Sequence, residues 1–226
     1  MKLIESFLDL LFPPKCPFCG RLTETPGICP DCQKILPWVA DGDIVRELPD
    51  GVRCIAPLWY EGTVRDALLR FKFHGASALA RPLGELMAQC AAEHFSGEFD
   101  TLTWVPVSRR RLRQRGYDQS ELLARSAGAV WGVRPERLLA KHADNPAQSG
   151  LEGAAARAEN VRDVYRAQHT AGKRVLLVDD IFTTGATLSA CVQALRQAGA
   201  AAVVCVTAAR TPLETDREKV HSSVKE

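Results

Sequence analysis

The chain has 226 residues, room for one full domain and a small module beside it. A hydrophobic share of 46% with 25% charged residues is ordinary for a globular chain, and neither an internal repeat nor a long low-complexity stretch interrupts it. The formal net charge of +2 excludes any argument about partners from overall electrostatics, so only local clusters of charge can point to one.

The first apolar stretch, residues 3–12, places Leu3, Ile4, Phe7, Leu8 and Leu11 on one face of a short helix. Glu5 and Asp9 interrupt it, no small-residue cleavage site follows, and it is too short to span a bilayer. Neither a secretion signal nor a membrane span is expected; packing on the protein itself, partner docking and membrane-surface contact are the readings open to this face.

Two paired-thiolate knuckles follow, Cys16-x2-Cys19 and Cys29-x2-Cys32. Each bends two sulfurs toward one ion, and four thiolates complete a tetrahedral shell, so Zn2+ is expected, with an iron–sulfur cluster as the alternative. Four protein ligands leave no open position for water, which makes the site structural, and a unit this small draws its folding free energy from the metal. Cys54, Cys90, Cys191 and Cys205 are scattered through apolar surroundings and read as core residues. Free thiols beside a metal site point to a reducing, cytoplasmic compartment.

The expected division is a helix and cysteine module over residues 1–40, a connector over 41–51, a main domain over 52–210 and a disordered tail over 211–226. With a connector between two cores, loss of one thiolate is expected to leave the main domain folded. Within that domain strands and helices alternate, which implies an α/β fold with a mostly parallel sheet. Residues 55–60 read as a strand and 63–71 as a helix, followed by Lys72, an available cation between Phe71 and Phe73, both of which look like core. A helix over 82–95, a buried strand over 101–107 and a helix over 120–131 come next.

Between those last two elements lies SRRRLRQRGYDQS, with Arg109, Arg110, Arg111, Arg113 and Arg115 within seven residues. Read as a loop at the strand end, it brings Val107, Ser108 and Arg109, with Lys72, to where a pyrophosphate would be held. Arg110, Arg111, Arg113 and Arg115 exceed what one leaving group can use, so a nucleic-acid contact and a plainly solvated basic loop stand beside that reading.

The most informative segment is VLLVDDIFTTGAT, residues 175–187. Val175, Leu176, Leu177 and Val178 form the continuous apolar run of a central parallel strand, so Asp179 and Asp180 fall at its carboxyl end, where open α/β sheets bind ligands. Thr183, Thr184, Gly185, Ala186 and Thr187 then supply small residues, hydroxyl donors and N–H groups at the start of a helix, the elements of a phosphate cradle. No Gly-Lys-Ser/Thr follows, so this is no Walker A loop. Two acids beside a phosphate suit a ribose 5-phosphate, whose hydroxyls donate to the carboxylates. Leu188, Cys191, Val192 and Leu195 mark the inner face of the next helix, Gly199 caps it, and residues 202–207 form another apolar strand.

The 175–187 segment resembles the phosphoribosyl pyrophosphate (PRPP) motif of type I phosphoribosyltransferases. Together with the LFPPKCPFC approach to the knuckles, the RLRQRGYDQ segment and the Arg157-x2-Asn160 pattern, it makes the chain similar to the ComF family of competence-associated proteins, from about residue 11 to about residue 210. The resemblance implies a type I phosphoribosyltransferase fold with an N-terminal zinc finger. It also implies PRPP with Mg2+ as ligand, and a bacterial cytoplasmic role in DNA uptake, with single-stranded DNA and a helicase-like protein as partners. The alternative is a catalytic phosphoribosyltransferase, with Asp179 and Asp180 stabilising the transferring sugar. Two departures stand out: Asp118 replaces the family's asparagine after RGY, and Ala143 replaces an arginine in the segment before Gln148.

Overall fold

The computed structural model describes residues 14–24, 27–142, 164–213 and 216. The apolar stretch at 3–12, Ala143, Gln148, Arg157 and Asn160 lie outside the described residues.

Six strands form the main sheet in the order β1 (Val45–Glu47), β2 (Arg53–Ile55), β8 (Ala202–Arg210), β7 (Arg174–Phe182) and β4 (Thr101–Trp104), with the short β3 (Leu58–Trp59) also paired to β8. All neighbours run parallel except β1, which lies antiparallel to β2 at the edge. A separate antiparallel pair, β5 (Leu139–Lys141) with β6 (Tyr165–Ala167), stands apart from it. The helices are α1 (Pro30–Ile35), α2 (Gly62–Phe73), α3 (Ala80–His94), α4 (Arg109–Arg115), α5 (Gln119–Trp131) and α6 (Ala186–Gln197). Among the described residues, no helix is long and apolar enough to cross a membrane.

Strand alternation divides the core in two. Leu176 and Val178 of β7 face one layer with α2, α3 and α5, while Val175 and Leu177 face the other with α6, β5 and β6. Cys54, Cys90, Cys191 and Cys205 are all buried, as their apolar surroundings predict.

Several expectations need correction. The strand expected over 55–60 is two pieces, because Pro57 has no N–H to give the ladder; its carbonyl instead accepts from Val39, and Trp59 N–H donates to Pro37. The strand expected over 101–107 stops at Trp104, shortly before Pro106. The arginine loop is a helix: Ser108 caps it by accepting the Arg111 N–H, and Gly116, at φ +80°, ends it in the left-handed conformation.

The segment expected as a connector is structural as well. Residues 41–51 carry β1, and Leu48 is buried in the same core as α6. Cys16, Phe18, Cys29, Cys32, Leu36 and Val39 share one hydrophobic cluster with α2 and α3, so the cysteine module and the main domain do not have separate cores. Arg70 of α2 reinforces the junction by donating to the carbonyls of Pro17 and Phe18, at 2.9 and 3.1 Å. Of the tail, 211–213 and 216 are described; Asp216 is buried and pairs with Arg46 of β1, which ties this part of the expected disordered tail to the sheet.

Candidate ligand site and metal centre

The carboxyl end of β7 places the two acids with different partners. Asp179 Oδ1 accepts from Ser120 Oγ at 2.8 Å and from the Asp180 N–H at 2.9 Å, so the first turn of α5 is tied to the central strand. The Lys72 ammonium, from the last turn of α2, lies 3.0 Å from Asp180 Oδ1. In each acid Oδ2 has no partner among the described residues. Burial, and then the charge of Asp180, push the Asp179 carboxyl up to about 7; Ser120, the Asp180 N–H and Lys72 offset this only in part.

After Phe182 the chain turns through Thr183, Thr184 and Gly185 into α6. Gly185 has φ +78°, which favours glycine by conformation, and a Cβ there would lie 2.6 Å from Leu48 Cδ2 and 2.8 Å from Phe182 Cε2, so those side chains would have to shift to admit one. No side-chain hydrogen bond comes from the N-cap residue of α6; Thr184 Oγ1 accepts only from Ala186 N–H, at 3.4 Å. The first turn therefore presents unsatisfied N–H groups beside the exposed Thr183, Thr184 and Thr187, an arrangement that receives an anion.

At the neighbouring strand end the expected pyrophosphate groups are partly committed. Asp118 Oδ2 accepts the Val107 N–H at 2.9 Å while its Oδ1 caps α5, and Ser108 Oγ caps α4, so these two polar groups serve the turn. Asp118 thus has a structural task at the position where it departs from the family pattern. A cavity of about 400 Å³ opens here, lined by Val107, Ser108, Arg109, Arg137, Lys141 and His142 among others. Arg109 lines this cavity, and Lys72 pairs with Asp180. Arg110, Arg111 and Arg113 are exposed and make no ion pair among the described residues. Arg115 turns inward and donates to Gln119 Oε1 at 2.7 Å.

Sequence reasoning missed Ser120, Arg137 and Lys141. Ser120 follows the cap residue Asp118 by two positions, a signal for a helix start but none for a reach to Asp179.

In the metal centre the ligand atoms of Cys16, Cys19, Cys29 and Cys32 all lie within 4.8 Å of one another. Cys19 Sγ and Cys29 Sγ are 3.7 Å apart; sulfurs at tetrahedral corners around zinc, with bonds of about 2.3 Å, stand about 3.8 Å apart. The clustered thiols titrate as one set: burial opposes ionisation of Cys16, but the N–H groups of Cys19, Cys29 and Phe18 outweigh it and lower that thiol to about 6, while burial and the neighbouring sulfurs push the Cys32 thiol up. The residues fit a structural zinc ion, and Arg21 and Asp31 pair across the two knuckles.

The fold and both sites define a class: a phosphoribosyltransferase-type α/β domain joined to a cysteine-ligated zinc module. Residues 137–225 match the family model of the phosphoribosyl transferase domain, and residues 7–42 that of the double zinc ribbon domain. The chain is a relative of the ComFC and YhgH proteins, in keeping with the ComF resemblance of its motifs. It is 25% identical over 189 residues to competence protein ComFC of Bacillus subtilis, covering 84% of this chain and 74% of the relative. It is 27% identical over 196 residues to ComFC of Streptococcus pneumoniae, covering 87% and 80%. With the DNA utilization protein YhgH of Escherichia coli K12 it shares 27% identity over 199 residues, covering 83% and 86%. Among solved structures it overlays on a glutamine PRPP amidotransferase from B. subtilis with a TM-score of 0.45 and 20% identity, covering 69% of this chain and 38% of that one.

Proposed function

We propose that the chain binds PRPP at the carboxyl end of β7 and acts in the cytoplasm in DNA uptake or utilisation, engaging single-stranded DNA and a helicase-like partner. The observation that carries the ligand reading is the conjunction of two acids, each with a free oxygen, and a helix start without an N-cap side-chain bond around Gly185. In this reading the 5-phosphate accepts from the N–H groups and hydroxyls of residues 183–187. The ribose hydroxyls donate to Oδ2 of Asp179 and Asp180, and the pyrophosphate lies toward the cavity at Arg109 and Arg137. Lys72 neutralises Asp180 and so removes its repulsion of the phosphates. Mg2+, when bound, screens the pyrophosphate and fits this site only as a companion of that ligand, since the protein contributes at most the two aspartates. Isothermal titration of the zinc-loaded protein with PRPP and Mg2+ is expected to give saturable one-to-one binding; absence of heat and of competition by ribose 5-phosphate would count against the site.

The DNA reading rests on the unpaired guanidinium groups of α4 and on the names of the relatives. Transfer of ribose 5-phosphate to a nitrogen acceptor is a second reading, favoured by one observation: Asp179, held near pH 7, sits beside the position of the sugar. Steady pyrophosphate release with candidate nitrogenous bases tests it.

A further inference from the structure

Phe73 is not the core residue its flanking sequence suggests. Phe71 is fully buried, but two residues further along a helix is about 200° around its axis, and Phe73 emerges on the outside with 62% of its surface exposed. One face of this exposed ring is covered by a cation: the Arg115 guanidinium carbon lies over it, 4.9 Å from the ring centroid, which leaves the opposite face for a ligand. Arg115 is itself held by Gln119 Oε1, and the Tyr117 hydroxyl donates to the Phe71 carbonyl, so the end of α4 and the end of α2 are locked to each other. On the same short helix Arg110, Arg111 and Arg113 project into solvent. An exposed aromatic ring braced by a guanidinium and adjoining a row of free cations is the combination that binds single strands: charge for the phosphates and a π-face for an unstacked base.

We infer that Phe73, backed by Arg115, is a stacking platform for a base of single-stranded nucleic acid whose phosphates run along the arginines of α4. A duplex does not suit it, because paired bases keep their faces stacked on one another. The inference rests on the reading that the chain binds single-stranded DNA, and names the residue that receives a base.

The test uses the full-length, zinc-loaded protein and fluorescence anisotropy with oligo(dT) and with an abasic oligonucleotide of equal length. Phe73→Ala is expected to weaken oligo(dT) binding by about 5- to 150-fold, the range of one lost base stack. The salt dependence should stay the same, Phe73→Trp should retain binding, and the abasic strand should not distinguish wild type from Phe73→Ala. Retained protection by PRPP shows that the variant is folded. If wild type binds oligo(dT) while Phe73→Ala binds it equally well, the platform is overturned and the DNA reading stands. Wild type that retains no strand at low salt overturns both. An effect of Phe73→Ala confined to free nucleobases, with DNA retention unchanged, overturns the platform in favour of an acceptor pocket.

Discussion

The Lys72 ammonium and Asp180 Oδ1 form a largely buried ion pair, 3.0 Å long, that joins the last turn of α2 to the central strand just before the 183–187 turn. In the proposed PRPP complex this contact would make an acid tolerable beside a phosphate. Lys72→Ala leaves Asp180 charged and unpaired next to the ligand's anions, and PRPP affinity should fall by about 10- to 100-fold, the usual consequence of removing one partner of a hydrogen-bonded charge pair. Lys72→Arg should recover part of it. Titration calorimetry of the three proteins measures both.

Asp179 gives a pH signature. Its carboxyl titrates at about 7 in the folded protein against an ordinary 3.8, so between those values the folded state holds a proton that the unfolded chain has lost. Stability contributed by this group is therefore greatest at low pH and declines as pH rises from about 4 to about 7. Asp179→Asn removes that decline. The difference in unfolding temperature between wild type and variant, followed across that interval, should shift in favour of the variant as pH rises.

Gly185 carries two constraints at once, a left-handed backbone and a Cβ position filled by Leu48 and Phe182. Gly185→Ala should lower stability by about 1–3 kcal/mol, seen in denaturant unfolding. It should also weaken PRPP binding, because the N–H groups of the α6 start would turn from their present direction.

The β7–loop–α6 unit was legible in sequence because a continuous apolar run, two acids and a glycine turn are all local signals. The cysteine knuckles were legible for the same reason. The arginine segment reads as a loop in sequence, since RRRLRQR has no apolar periodicity; its helix is made instead by the Ser108 cap and the Gly116 stop. Ser120 with Asp179 and Lys72 with Asp180 were illegible, because both contacts are between residues far apart in the chain and depend on how α2 and α5 lie on the sheet. Phe73 reads as core only by association with Phe71; on one helix the two lie about 200° apart, so they take opposite faces. Gly42, Pro49 and the acids around them read as a connector, while the signal that matters is the apolar Leu48, which the fold buries.

The shared core reverses the expectation for the zinc module. Phe18, Leu36 and Val39 pack with α2 and α3, so Cys29→Ser, or removal of zinc by a chelator, should lower the unfolding temperature of the main domain too. Calorimetry should show one shifted transition; an unaltered main transition after metal loss would mean that the two units fold independently.

In the proposed function, Asp179, Asp180 and the 183–187 turn receive PRPP. The most direct test is the thermal shift produced by PRPP with Mg2+ in wild type and in the Asp179→Asn, Asp180→Asn double variant. Ligand that binds the folded state raises the unfolding temperature by an amount that grows with the logarithm of ligand concentration over Kd. Measured at about pH 8, where both carboxyls are ionised, wild type should show a concentration-dependent rise and the double variant none, because neutral amides do not replace two charge-assisted acceptors for the ribose hydroxyls. An equal rise in both proteins would contradict the account and place the ligand elsewhere.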